Sequence, residues 1–212
     1  MCIVDTNPGK YKNKIPHELW GIITNMEIIF DKIRNDEVLD SEIIKNINNY
    51  PKFDINWVDN CGWTLLMYLV FRNRKELAEY LLTHPNIDVN YKNHNGYTAL
   101  YYVCWCGNIL MLKLLLSHKD IYVNIQHNFG DTGMHIACCC NHIEIVKELL
   151  LDARVNPLIR DIIGRTDQYL VTQKGYIKIA NMFKRIGHTS LLRIPNEALC
   201  RDIVRMITEE YT

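Results

Sequence analysis

The sequence predicts an all-α fold made by stacking short pairs of helices, and three observations lead there. Gly62, Gly96, Gly130 and Gly164 recur every 34 residues. Each is followed two positions later by a threonine: Thr64, Thr98, Thr132 and Thr166. Between these steps the apolar residues fall at helical rather than alternating spacing, as in the stretch from Ile143 to Leu151. A fixed period of this length marks a repeat architecture.

Within one period the unit reads as a turn followed by two helices. Glycine supplies a residue free to adopt positive φ, and the threonine hydroxyl two positions on can cap the first helix. That helix is about two turns long, as from Thr132 to Ala137. It ends where Asn73, Gly107, Asn141 and Gly175 keep the same step, residues that tolerate a left-handed conformation. The second helix follows with an i, i+3, i+4 apolar face. Asn56, Asn90 and Asn124 form a further set, six residues ahead of their glycines. Neither helix can bury its stripe alone, so neighbouring units must share a continuous core.

One period earlier, Ile43 and Ile47 align with Leu77 and Leu81, and 53–56 aligns with 87–90. An atypical unit therefore stands at the front, its first helix expected around Pro16 to Arg34, as suits an end cap. At the other end Asp167 and Gln168 read as polar substitutions guarding the last unit.

These units resemble ankyrin repeats. The family signature Thr-Pro-Leu-His-x-Ala is matched most closely by Thr132, Met134, His135 and Ala137. Its proline is missing in every copy, and the copies at Thr64, Thr98 and Thr166 keep the pattern of sizes but lose the histidine, and with it one hydrogen bond per unit. The step of 34 places one extra residue, relative to the family's usual length of about 33, in connections such as 84–90. The resemblance implies an all-α ankyrin-repeat solenoid of stacked helix-turn-helix units joined by short turn or hairpin loops. Its expected organisation is an N-terminal tail over 1–15, an atypical capping repeat over 16–56, four ankyrin repeats over 57–187, and a capping or F-box-like helix over 188–212.

Bulk composition agrees with a globular protein: apolar residues make up 48% and charged residues 23%. Positive and negative side chains balance at 24 each, so no long-range field gathers nucleic acid or an anionic membrane. The apolar runs Thr64 to Phe71 and Ile109 to Leu116 are too short to span a bilayer, which needs roughly 20 residues. No secretory signal is visible at the start, and eight cysteines without one point to a reducing, cytoplasmic setting with free thiols.

In the ankyrin family, partners are held mostly by the turn tips and the adjoining end of the first helix. Carried over by position, the resemblance implies that Asn60, Trp63, Phe71, Arg72, His94, Asn95, Tyr97, Trp105, Asn128, Phe129, Asp131 and Arg165 face a partner, with Cys61, Cys106, Cys139, Cys140, Ile162 and Ile163 beside them. Aromatic residues and Arg dominate binding hot spots, so Trp63, Phe71, Tyr97, Trp105 and Phe129 along one face would form a recognition surface. The competing expectation is that one or two of these rings fill the stack. Tyr68, Tyr101 and Tyr102, in mid-helix, are assigned to packing.

Two stretches, 14–23 and 193–207, each carry an apolar residue, Pro, a polar residue and Glu before an apolar-periodic helix. Proline at the first helical position with an acid soon after is a generic helix start, which explains both. The later stretch also resembles the start of an F-box, which docks on the Skp-type adaptor of a cullin ubiquitin ligase. The matching residues are Ile194, Pro195, Glu197, Ile203 and Ile207, and ankyrin proteins of poxviruses and giant viruses often end this way. The alternative is an end cap packing Leu199, Ile203, Met206 and Ile207 on the last repeat.

Catalytic and metal chemistry find no support. Cys104, Cys106, Cys138, Cys139, Cys140, His135 and His142 lie in neighbouring units but lack zinc-ligand spacing. His135 belongs to the repeat signature and orients the turn. Nucleophile elbows and phosphate loops are absent. The expectation is a monomeric protein-binding module with no cofactor, no metal, and neither nucleic acid nor membrane as partner. Its setting is the cytoplasm, a host's if the isoleucine-, asparagine- and lysine-rich style marks a large DNA virus. Two functional classes stay open: a substrate-recruiting ubiquitin-ligase adaptor, and a stand-alone scaffold or inhibitor that sequesters a cellular factor.

Overall fold

The computed structural model describes residues 33, 40–49 and 54–190. The tail over 1–15, most of the helix expected around Pro16 to Arg34, and the F-box-like pattern at Ile194, Pro195, Glu197, Ile203 and Ile207 lie outside the described residues.

Nine helices appear among the described residues: α1 (Asp40–Asn49), α2 (Leu65–Phe71), α3 (Lys75–Leu82), α4 (Ala99–Cys106), α5 (Ile109–Leu116), α6 (Gly133–Cys139), α7 (Ile143–Leu151), α8 (Asp167–Gln173) and α9 (Ile177–Ser190). Extended pairing there is a single antiparallel bridge between Val58 and Thr64.

Each first helix starts on its threonine. Thr64, Thr98, Thr132 and Thr166 hold extended backbone at the N-cap, and each hydroxyl accepts from the N–H three residues on, at 3.2–3.4 Å. Such a cap contributes about 1 kcal/mol, a useful share for a helix of two turns. Left-handed residues follow each first helix at the expected places: Asn73 at φ 55°, Gly107 at 72°, Asn141 at 59° and Gly175 at 71°.

The described chain forms two compact units, one up to His94 and one from Asn95. In the first, α3 packs against both α1 and α2. Ile43, Ile47, Leu77 and Leu81 are buried, as their alignment by one period requires. In the second unit like stacks on like: α4 on α6 and α6 on α8, with α5 on α7 and α7 on α9. The core between these layers holds Leu100, Val103, Met111, Leu112, Leu115, Val146, Leu149 and Ile179. Tyr68, Tyr101 and Tyr102 are buried, in keeping with their assignment to packing.

One expectation fails. Gln168 is exposed, but Asp167 has no solvent-accessible surface, so it does not belong to a polar outer end. The position directly after the capping threonine points inward in every copy, where Leu65, Ala99 and Gly133 are also buried. At Gly133 the approach is so close that a Cβ would lie 3.0 Å from Cys104 Sγ. Asp167 inherits that inward geometry with a charged side chain.

Candidate partner-binding face

Three of the turns ahead of the first helices are closed by a side chain at one recurring position. Asp59, Asn93, His127 and Asp161 stand three residues before the four glycines. Asp59 accepts from the N–H groups of Cys61 (2.8 Å) and Trp63 (2.9 Å), and from the Tyr68 hydroxyl (2.6 Å). Asp161 accepts from the N–H groups of Ile163 (2.9 Å) and Arg165 (2.8 Å) and pairs with the Arg165 guanidinium. Burial pushes the Asp161 carboxyl up, but these donors outweigh it and hold the group below the usual carboxylate range. His127 does the same work with an imidazole: its Nδ1 accepts from Phe129 N–H at 3.1 Å and Asp131 N–H at 3.2 Å. Nε2 therefore carries the proton and faces Asp131 Oδ2 at 3.4 Å.

Closed turns can then lie side by side. In the second unit Asn128 N–H donates to the Asn95 carbonyl (3.2 Å), and Ile162 N–H to the Phe129 carbonyl (3.3 Å). The glycines permit this contact. A Cβ on Gly96 would stand 2.8 Å from Asn128 N, and one on Gly130 2.7 Å from Ile162 N. At the far end of α4, His142 Nε2 donates to the Trp105 carbonyl at 2.9 Å, packing its ring against Gly107.

In the first unit the structure places Asn60, Phe71, Arg72 and His94 in exposed positions and Trp63 half-buried. The Trp63 ring sits 4.9 Å from Tyr68 and meets Phe71 edge-on at 5.7 Å. Trp63 thus anchors the half-exposed Phe71 at the end of α2.

In the second unit the rings form a connected set. Tyr97 stacks on Tyr101 at 4.4 Å, and Tyr101 stacks on His127 at 5.2 Å. Trp105 lies parallel to Tyr102 at 6.2 Å, and Phe129 meets His127 edge-on at 5.7 Å. Tyr101 and Tyr102 are buried, Tyr97 is half-buried, and the two outer members are open, Trp105 at 47% and Phe129 at 62% exposure. Asn95 and Asn128 are exposed, while Asp131 and Arg165 are partly so. Cys106, Ile162 and Ile163 are exposed, and Cys139 and Cys140 intermediate.

Four of the described thiols show no reactive bias. Burial pushes up the thiols of Cys104, Cys106, Cys138 and Cys139, away from the nucleophilic thiolate. Among the described residues no disulfide forms, and no group of three or more His, Cys, Asp or Glu side chains could hold a metal ion. None of the described helices is long and apolar enough to cross a membrane.

Family comparison agrees with this architecture. Residues 35–127 match a family model of ankyrin repeats in three copies, and residues 129–162 match the model of a single ankyrin repeat. The chain belongs to the ankyrin-repeat family. No curated protein matches the sequence. As in an ankyrin repeat, the one signature histidine, His135, ties its own turn to the next: Nδ1 accepts from Thr132 N–H at 3.3 Å, and Nε2 donates to the Arg165 carbonyl at 3.3 Å.

Two features of these ankyrin units escaped sequence reasoning. The turn-closing residue recurs at the repeat step but changes chemistry from Asp to Asn to His, so identity matching passes over it. Tyr169 is half exposed although its counterparts Met67, Tyr101 and His135 are buried.

Proposed function

We propose that this ankyrin-repeat chain is a non-enzymatic protein-binding module that grips its partner with the turn tips and the adjoining ends of the first helices. Trp105 and Phe129 carry the reading. They are large rings left open to solvent and held in place by a buried aromatic set and by a turn that His127 closes. Rings fixed before binding lose little entropy on contact, and such residues dominate hot spots. Candidate contacts in the first unit are Trp63 and Phe71 with Asn60, Arg72 and His94; those in the second also include Asn95, Tyr97, Asn128, Asp131 and Arg165.

The pattern Ile194, Pro195, Glu197, Ile203 and Ile207 supports a second use of the same module, as substrate-recruiting adaptor of a cullin-type ubiquitin ligase. The repeats would then select a target and the tail would engage a Skp-type adaptor. Without that engagement the chain is a stand-alone scaffold or inhibitor. Unbridged thiols favour the cytoplasm as its setting, and the repeat style with its isoleucine, asparagine and lysine bias favours a large DNA virus as its source, and so a host factor as its target.

Affinity purification of the full chain, of Trp105→Ala plus Phe129→Ala, and of a chain ending at Ser190 separates these uses. Loss of partners in the aromatic double variant, with the chain still folded, supports the grip; retention of every partner sinks it. Loss of ligase components only in the truncated chain supports the adaptor.

A further inference from the structure

Asp167 is the first residue of α8, without solvent-accessible surface, and neither of its carboxylate oxygens has a hydrogen-bond partner. The polar atom it faces is His135 Nδ1, 3.3 Å away on α6, and that imidazole is equally buried. Although the distance suits an ion pair, His135 is already committed. Its Nδ1 accepts from the Thr132 N–H and lies 2.8 Å from the Thr132 hydroxyl, while Nε2 donates to the Arg165 carbonyl. A backbone N–H only donates, so Nδ1 is unprotonated and the ring neutral. A neutral ring offers Asp167 no counter-charge, and an ionised carboxylate buried without partners is costly.

The surroundings agree. On α6, Cys138 is neutral, its thiol pushed up by burial and by Asp167 itself. From the preceding turn, Asp131 repels a second negative charge. On the following turn, Arg165 is paired with Asp161. Helix α9 turns Ile179, Ala180 and Phe183 inward, none of them ionisable. Burial, then Asp131, push the Asp167 carboxyl well above its ordinary range, and burial holds His135 below its own.

We propose that Asp167 and His135 form a proton-dependent latch between the last two repeats of the second unit, closed when the Asp167 carboxyl carries a proton and loosened when it ionises. The latch governs α8, α9 and the turn bearing Ile162 and Ile163, so a rise in pH weakens that end of the stack and the apolar turn tip it presents.

The sign follows from proton counting. In the unfolded chain Asp167 titrates near about 3.9. Above that pH the folded state holds one proton more than the unfolded one. The folding equilibrium constant therefore falls about tenfold per pH unit from about pH 4 until the folded carboxyl itself ionises. His135 works in the opposite direction, losing stability as pH falls below about 6.5. Above about pH 6.5 His135 is neutral in both the folded and the unfolded chain, so there the comparison with Asp167→Asn reads the carboxyl.

Urea unfolding of both chains at steps from pH 4 to pH 8 is the test. The stability of Asp167→Asn relative to the natural chain should rise with pH at about tenfold per unit over part of that range. A difference independent of pH overturns the latch. Carbon-13 NMR of the Asp167 carboxyl in the unaltered chain gives a second readout that no variant can spoil. Titration well above about 3.9 supports the latch, and titration at or below that value ends it.

Discussion

Asn124 donates from its side-chain Nδ2 to the carbonyl oxygen of Arg154, 30 residues later, at 2.7 Å. Its Oδ1 accepts from Asn156 N–H at 2.8 Å, so one amide fastens the connection leaving α7 to the connection before it. Two periods earlier Asn56 does the same, to the Asn86 carbonyl and the Asp88 N–H, both at 2.7 Å. Asn124→Ala removes both bonds and should cost about 1–2 kcal/mol. Asn124→Asp keeps the acceptor, loses the donor and should fall between. Urea denaturation checks the order; equal stability of all three chains would remove the bridge from any account of the stacking.

Gly130 and Gly164 share a positive φ, 81° and 85°, but only the first is crowded. A Cβ on Gly130 meets Ile162 N at 2.7 Å, whereas one on Gly164 meets nothing within 4 Å. Gly164→Ala should therefore cost about 1–2 kcal/mol from backbone strain alone. Gly130→Ala should cost a further ~1–3 kcal/mol, because the turns must part. Thermal unfolding of the two variants side by side measures the gap, and equal losses would mean that close approach adds nothing.

The exposed rings should matter little to folding. Phe129→Ala is expected to stay within about 0.5 kcal/mol of the natural chain, and Trp105→Ala to lose about 1 kcal/mol with its stacking on Tyr102. By contrast, Leu112 is fully buried on α5, and Leu112→Ala should cost about 2–5 kcal/mol. A large loss at Phe129 would reassign that ring to the core and weaken the binding proposal.

Asp161 should make the fourth turn acid-sensitive. Because the folded carboxyl lies below its ordinary value, its stabilisation is fully present above the unfolded value of about 3.9 and is lost as pH falls through the folded one. Asp161→Asn should cost about 1–3 kcal/mol at neutral pH, a cost that shrinks toward zero on acidification below about pH 3. Denaturant midpoints of the two chains at pH 7 and pH 2.5 test this. A gap that persists in acid would assign the loss to shape rather than charge.

Where the chain turns, where its helices begin and which faces they bury followed from residues repeated at one step: Gly130 and Asn141 tolerate positive φ and Thr132 can cap a helix through their own covalent structure. Ile43 and Ile47 could likewise be placed opposite Leu77 and Leu81, because helical period and repeat period together define neighbours. The sequence could not say what those neighbours would do to individual side chains. Asp167 looked like a surface acid until stacking turned its position inward. Nothing in the sequence singles out His127, whose Nδ1 accepts two N–H groups of its turn. Tyr97, just after Gly96, and Phe129, just before Gly130, are both rings on the turns, yet the first is half-buried and the second stands open. Burial, tautomer and exposure depend on what lies across a contact 30 or more residues away, and only tertiary packing decides that.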